Sequence, residues 1–372
     1  MRRVTQEGKR FRYPQQRYGI FSAACIRFPK LSCTFVLPFI ELLDYEPEYS
    51  GRDSIWIHPH QHAQQLLIMG SCFAENIGTL LAENKFRIDI NPFGILYNPR
   101  SISMALREII SQKQYKASDL FLHRECWHSP MHHGSFSAAT LADTLRNIQS
   151  RVEQAHKELK QLDRLMLTFG TAYVYEQKET GKVVANCHKL PEKNFIRRRL
   201  EIDEIVEDYT LLLDELISLN PQLKFLFTVS PIRHIRDGMH ANQLSKSVLL
   251  LAIDRLMQRY PQVTCYFPSY EIVLDELRDY RFYADDMVHP STLTVNYLWE
   301  RFSETFFTPE TQNLIKECET IRKAIAHKPF HPESEEHKRF LGQIVLKIER
   351  LNGKYPYLDF EKETNMCRLA LQ

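Results

Sequence analysis

Residues 66–78 read LLIMGSCFAENIG, an apolar run that stops at Gly70 and Ser71 and gives way at once to a helical pattern. Four apolar residues, a glycine and a helix start specify a buried strand, a tight turn and a helix, the unit from which α/β sheets are built. Gly70 has no Cβ and lets the backbone bend sharply. Ser71 then arrives at the helix start, beyond the strand's carboxyl end. A serine there is either the N-cap of the helix, a common use of its hydroxyl, or a nucleophile.

The rest of the chain repeats the unit. Strand patterns at 86–90, 164–173, 224–229 and 264–267 alternate with helical patterns at about 73–84, 98–111, 137–162, 204–219 and 241–259. Apolar residues at Ile77, Leu80 and Leu81 give the first helix a face to lay on a sheet. Asn98 and Pro99 open the second, an acceptor at the cap and a proline where a missing N–H costs nothing. The arms on either side of Glu179-Thr180-Gly181 read as a hairpin that delivers the polar run Asn186-Cys187-His188. The expected architecture is a three-layer α/β/α sandwich around a mostly parallel, flavodoxin-like sheet. It is flanked by an irregular arm over 1–60 and by a helical extension over 308–372, of two helices at about 309–326 and 333–351 ending at Asn352-Gly353, with the α/β domain over 61–307.

A second feature supplies chemistry. Tyr283-Ala284-Asp285-Asp286-Met287-Val288-His289-Pro290 precedes a new helical pattern and sets Asp286 three residues before His289. On a helical turn, residues three apart share a face. Asp286 would then hold the His289 ring and leave its other nitrogen free as a base, while Asp285 would turn toward loop or solvent. Of the two neighbouring nucleophiles at the first turn, Ser71 and Cys72, only one can face that base, and Ser71 is the expected one.

A serine followed far downstream by aspartate and histidine three apart resembles the SGNH (GDSL-like) hydrolase superfamily. More narrowly, Gly70-Ser71-Cys72-Phe73-Ala74 is similar to the signature of the bacterial GSCFA family. Asn91-Pro92-Phe93-Gly94, Ser230-Pro231-Ile232-Arg233-His234 and Tyr266-Phe267-Pro268-Ser269-Tyr270-Glu271 resemble its further blocks. The resemblance runs from about 66 to 306 and implies an acyl-serine ester hydrolase with Ser71, His289 and Asp286 as nucleophile, base and orienting acid. It places the N–H groups of Ser71 and Gly94 in an oxyanion hole. Where the superfamily carries Gly-x-Asn, this chain has Gly170-Thr171-Ala172. Thr171, Tyr173 and Asn186 are the candidates to replace the missing amide. Asn91, Tyr173, Asn186, His188, Arg233 and His234 are candidates for substrate binding, Arg233 because its planar fork suits a carboxylate or a developing anion. A small-molecule or carbohydrate ester is the expected substrate; a carbohydrate O-acyltransferase and a non-catalytic ligand-binding module are the alternatives.

Composition trims the remaining classes. The chain's 372 residues carry 48 basic and 46 acidic side chains, too even a balance to call for nucleic acid or an acidic membrane. Eight cysteines at 25, 33, 72, 126, 187, 265, 318 and 367 form no C-x-x-C pair, so neither a zinc site nor a disulfide framework is expected. Scattered cysteines fit a cytoplasmic location. Residues 20–26 are too short and too soon interrupted by Arg27 to read as a signal core, and no stretch approaches the roughly 20 apolar residues of a membrane helix. His128, His132 and His133 lack the spacing of a metal site, and their loop is expected on the substrate side. No cofactor is expected, and oligomeric state is not legible.

Overall fold

Residues 62–371, Pro332 apart, are described by the structure, a computed structural model; the arm expected over 1–60 lies outside the described residues. The chain opens with β1 (Gln65–Gly70), α1 (Cys72–Glu83), β2 (Arg87–Ile90) and α2 (Pro99–Ile110). A small hairpin, β3 (Phe121–His123) and β4 (Cys126–His128), precedes α3 (Leu141–Leu159) and β5 (Arg164–Phe169). Next come β6 (Tyr173–Gln177), β7 (Val183–Val184), β8 (Phe195–Arg199), α4 (Ile202–Leu219), β9 (Lys224–Val229) and α5 (Met239–Arg259). The series ends with β10 (Thr264–Phe267), the single turn α6 (Ser269–Glu271), α7 (Thr292–Phe306), α8 (Pro309–Ala326), α9 (Glu335–Lys354) and α10 (Glu361–Leu371).

Five parallel strands form the central sheet in the order β10-β9-β5-β1-β2. Counted along the sheet's own strands this is 2-1-3-4-5, the flavodoxin-like winding, and the order reverses between β1 and β5. Met69 lies opposite Leu167 and Gly70 opposite Thr168 across that seam. Side chains alternate from face to face along a strand. Leu67, Met69, Leu165, Leu167, Phe169, Phe225 and Phe227 therefore share one core with the apolar stripes of α2, α3, α4 and α5. The opposite face takes α1, whose Gly78 sits against Ile68 and Ile90, and α7, whose Phe302 and Phe306 pack edge-on to Phe267. A fully buried Phe227 in such a core makes Phe227→Ala cost about 3–5 kcal/mol. The expected three-layer sandwich is the observed fold.

The differences are local. The single strand expected over 164–173 is two: β5 stops at Phe169, Gly170-Thr171-Ala172 turns the chain, and Tyr173 starts a separate antiparallel sheet ordered β7-β6-β8. The helix expected to stop at Asn352-Gly353 continues as α9 to Lys354, and α10 follows it unforeseen. Leu358, Phe360 and Cys367 bury themselves in the core of α8, α9 and α10, and that tertiary packing decides what a charged local sequence leaves open. Ion pairs from Lys85 to Glu363 and from Arg322 to Glu83 fasten this extension to the α1 side of the sheet.

Candidate active site

The seam between β1 and β5 is where a doubly wound sheet opens a crevice at its carboxyl edge, and the sequence motifs converge there. Gly70 has φ +146°, and a Cβ on it would lie 2.2 Å from the Thr168 carbonyl oxygen. Only glycine fits, and the close approach turns the chain straight into α1. Asn91 fixes the same corner, accepting the Gly70 N–H on Oδ1 at 2.9 Å and giving its own N–H to Ile68 O. Ser71 is the N-cap of α1: its Oγ accepts the Phe73 N–H at 3.3 Å, and the residue is fully buried. Capping is compatible with nucleophilicity, because the accepted bond leaves the hydroxyl proton to give away.

Asp286 and His289 meet as expected, with His289 Nδ1 2.6 Å from Asp286 Oδ2. Their geometry differs from the expectation. Residues 284–290 form a bend rather than a helical turn, with Met287 at φ +59°. Asp286 Oδ1 closes the bend by accepting the N–H groups of Val288 and His289, each at 2.9 Å. Those bonds, the His289 backbone N–H foremost and then its ring, hold the Asp286 carboxyl down to about 2. An ionised carboxylate only accepts, so Nδ1 carries the proton toward it and Nε2 is left as the basic nitrogen. Asp285 is exposed and without a partner among the described residues. Ser71 and His289 make no hydrogen bond to each other among the described residues; catalytic bonds of this kind often tighten only when substrate binds.

The Arg233-His234 block joins the two halves. Arg233 gives its backbone N–H to Val288 O at 3.3 Å and an Nη1 proton to Met287 O at 3.3 Å, so it clasps the His289 bend. His234 reaches the other way: a Cβ placed on Gly170 would lie 3.0 Å from His234 Nε2 and 3.5 Å from Ser71 Cβ. His234 Nε2 is buried without a hydrogen-bond partner among the described residues. Burial first, then the charges of Lys246, Arg197 and His289, push this imidazole down to about 3, so it stays neutral.

Two of the expected oxyanion donors are engaged elsewhere. The Gly94 N–H closes a turn onto Asn91 O at 2.7 Å, and Gly94, at φ +77°, packs where a Cβ would strike His133. Thr171 gives its N–H to Tyr97 O at 2.9 Å and pairs its hydroxyl with Ser245 Oγ at 3.1 Å while accepting the Tyr173 N–H. Both N–H groups thus hold the local backbone in this structure, each on a short bond to a carbonyl. The Ser71 N–H faces Thr168 O across a long 3.4 Å. Asn91 Nδ2 is a buried donor without a hydrogen-bond partner among the described residues, and the Gly70 N–H on Oδ1 dictates which way the amide points.

The remaining expected binders sit farther out. The Tyr173 ring lies under Arg197, with 4.7 Å from guanidinium to ring centroid. Asn186 gives its N–H to Pro130 O at 3.0 Å, and His188 Nε2 pairs with Ser129 O at 2.7 Å, so both stitch the β7 loop to the histidine-rich loop. In that loop His128, His132 and His133 each pair a ring nitrogen with a serine hydroxyl, and among the described residues there is no group of side chains able to hold a metal. The loop buttresses the Asn91 block instead, through His133 N to Phe93 O at 2.9 Å and His132 stacked on Phe93.

Lys246 escaped the sequence reading. It is fully buried and gives Nζ protons to Gly170 O and Ser230 O, both at 2.6 Å, tying the carboxyl ends of β5 and β9 together beneath the site. Desolvation pulls it down to about 7. The signal was present: Asn242, Ser245, Lys246, Leu249, Ala252, Ile253 and Leu256 form one stripe of α5, so the lysine falls on an apolar face. Cys72 is half-buried, and burial raises its thiol above the ordinary range, which disfavours thiolate.

Fold and site together define a doubly wound α/β protein with a serine and an aspartate–histidine pair on the carboxyl edge of its sheet. The GSCFA family model matches residues 65–302, and the model of the GSCFA domain protein, C-terminal domain, matches residues 318–372. The chain belongs to the GSCFA family. No curated protein matches it. No helix among the described residues is long and apolar enough to cross a membrane.

Proposed function

We propose that this protein is a serine-dependent ester hydrolase of the SGNH (GDSL-like) kind, acting on a small-molecule or carbohydrate ester. The observation that carries the reading is the His289–Asp286 bond at 2.6 Å, which leaves His289 Nε2 without a partner among the described residues on the loop that Arg233 clasps, while the neighbouring His234 reaches Gly170 beside Ser71. Ser71 Oγ attacks the ester carbonyl as His289 Nε2 takes its proton, and Asp286 steadies the imidazolium that forms. The tetrahedral oxyanion is met by the Asn91 amide and by His234 in its Nε2–H tautomer, with the Ser71 N–H turning from its long bond. His289 returns the proton to the leaving alcohol. Water, activated by the same nitrogen, then releases the acid from Ser71.

Full burial of Ser71 favours one second reading. An acyl-enzyme shielded from water can pass its acyl group to a sugar hydroxyl, which makes the protein a carbohydrate O-acyltransferase. Product analysis with and without a sugar acceptor separates the two.

The pH dependence of kcat/KM for an acetyl ester tests the mechanism. Asp286 is held near 2 and His234 near 3, so both keep one charge state above pH 5. Activity should rise with pH, since the mechanism needs an unprotonated base, and EDTA should leave it unchanged. Activity lost to EDTA and restored by zinc, with Ser71→Ala still active, overturns the proposal.

A further inference from the structure

The arginines of β8 and of the segment that follows β9 are not equivalent. Arg197 is neutralised by Asp237 at 2.5 Å, Arg198 by Glu176 at 2.7 Å and Glu204 at 2.8 Å, and Arg236 by Glu192 at 2.5 Å. Arg233 has no carboxylate partner among the described residues. Its guanidinium stacks 3.9 Å from the centroid of Tyr283 and 5.8 Å from that of the exposed Tyr280, and its hydrogen bond goes to the Met287 carbonyl. The carboxylate nearest in sequence to those contacts that could serve it, Asp286, is spent on the His289 ring and on two N–H groups of its own bend; Asp285 is exposed and pairs with nothing described. Deeper in, Lys246 is hydrogen-bonded, among the described residues, to the Gly170 and Ser230 carbonyls.

Packing over Tyr283 restricts the guanidinium and lowers the ordering cost of using it, and an arginine fork matches a carboxylate bidentately. The backbone of the same residue is bonded to the bend that carries His289. An anion on Arg233 would therefore lie beside the bend that carries His289.

We infer that the substrate is an ester that itself carries a carboxylate, and that Arg233 is the residue that selects it. The inference deepens the ester-hydrolase reading and rests on it for the word ester; recognition of the carboxylate rests on Arg233 alone. The anion sits on the acyl side, as in a half-ester of a dicarboxylic acid, or on the alcohol side, as in an acylated hydroxy acid.

Two matched pairs separate these sources: monomethyl succinate against methyl succinamate, and acetylglycolate against acetylglycolamide, the same shapes with and without the charge. The measured quantity is the ratio of kcat/KM within each pair, because Arg233 also holds the bend and its loss will move absolute rates. A charge-assisted bond of this kind is worth roughly ten- to a hundred-fold. The wild-type protein should prefer the acid of one pair by that factor. Arg233→Met, which keeps the stem, should bring the ratio to about one, and Arg233→Lys should retain part of it. If the Met variant does not fold, as judged by thermal melting, the Lys variant decides, since it keeps the charge and loses the fork.

Binding of the amide analogues N-methylsuccinamate and N-acetylglycine is measured by calorimetry alongside. Binding to the wild type that is lost in Arg233→Met and weakened in Arg233→Lys, with no turnover of any ester, supports the carboxylate site and overturns the hydrolase reading. A wild-type ratio near one in both pairs, a ratio unchanged in Arg233→Met, or neither turnover nor binding overturns the inference; turnover of the neutral esters alone does so while leaving the hydrolase reading intact.

Discussion

Lys246→Met exposes the cost of the cation under the site. A lysine pulled from 10.5 to about 7 by desolvation is a group that the unfolded chain protonates more readily than the folded one. The folded pKa is the lower, so between about pH 7 and 10.5 the unfolded state binds more protons, and this residue's contribution to stability rises with pH. Each unit of difference is worth about 1.4 kcal/mol, and the full shift corresponds to the order of 4–5 kcal/mol, recovered by pH 10.5. Other groups pull the opposite way: burial raises the thiols of Cys187 to about 11 and Cys318 to about 12, and they lose stability as pH climbs past the ordinary thiol range. The comparison must therefore be between proteins at each pH. Urea unfolding of wild type and Lys246→Met at pH 7.5 and 9.5 should show the stability difference moving in favour of the wild type by about 2 kcal/mol over that interval. Met cannot hold Gly170 O and Ser230 O, so the variant should also lose activity at both pH values. A stability difference independent of pH would refute the reasoning, because it would mean that the folded and unfolded states bind the Lys246 proton alike.

The carboxylates of the bend should separate cleanly: Asp286→Asn should cut kcat/KM by on the order of 10²–10⁴ in a steady-state assay, since it removes the partner that sets the His289 tautomer, while Asp285→Asn should stay within about two-fold. Gly170→Ala places a methyl 2.9 Å from Tyr97 O and 3.0 Å from His234 Nε2; overpacking of that kind should cost about 1–3 kcal/mol in melting experiments and displace His234 enough to lower kcat/KM by on the order of 10².

Much of this was legible in the sequence because the signals are local and periodic. The strand, glycine and helix start at Leu66–Gly78 require a β-α unit, and continuous apolar strands such as Lys224–Val229 require a sheet covered on both faces. The pairing of Asp286 with His289 was legible from spacing, but its cause was not: the contact comes from a left-handed Met287 and a side chain capping its own bend, and nothing in the residue types distinguishes that from a helical turn. Which backbone donors are free could not be read at all. Gly94 and Thr171 stand at suitable places in the motif order, yet Asn91 O and Tyr97 O, contributed by the fold of the 91–97 loop, occupy their N–H groups. Lys246 was hidden for a related reason, since a lysine in a helix ordinarily reads as solvated and only its place on the apolar stripe of α5 betrays it.

The central claim is that Ser71 is a nucleophile activated by His289. A fluorophosphonate probe followed by peptide mapping tests it without any knowledge of the substrate. The account predicts one adduct, on Ser71, in wild type and in Cys72→Ala, strongly slowed labelling in His289→Gln, and none in Ser71→Ala. Labelling that survives Ser71→Ala, or that maps to Cys72, would contradict it.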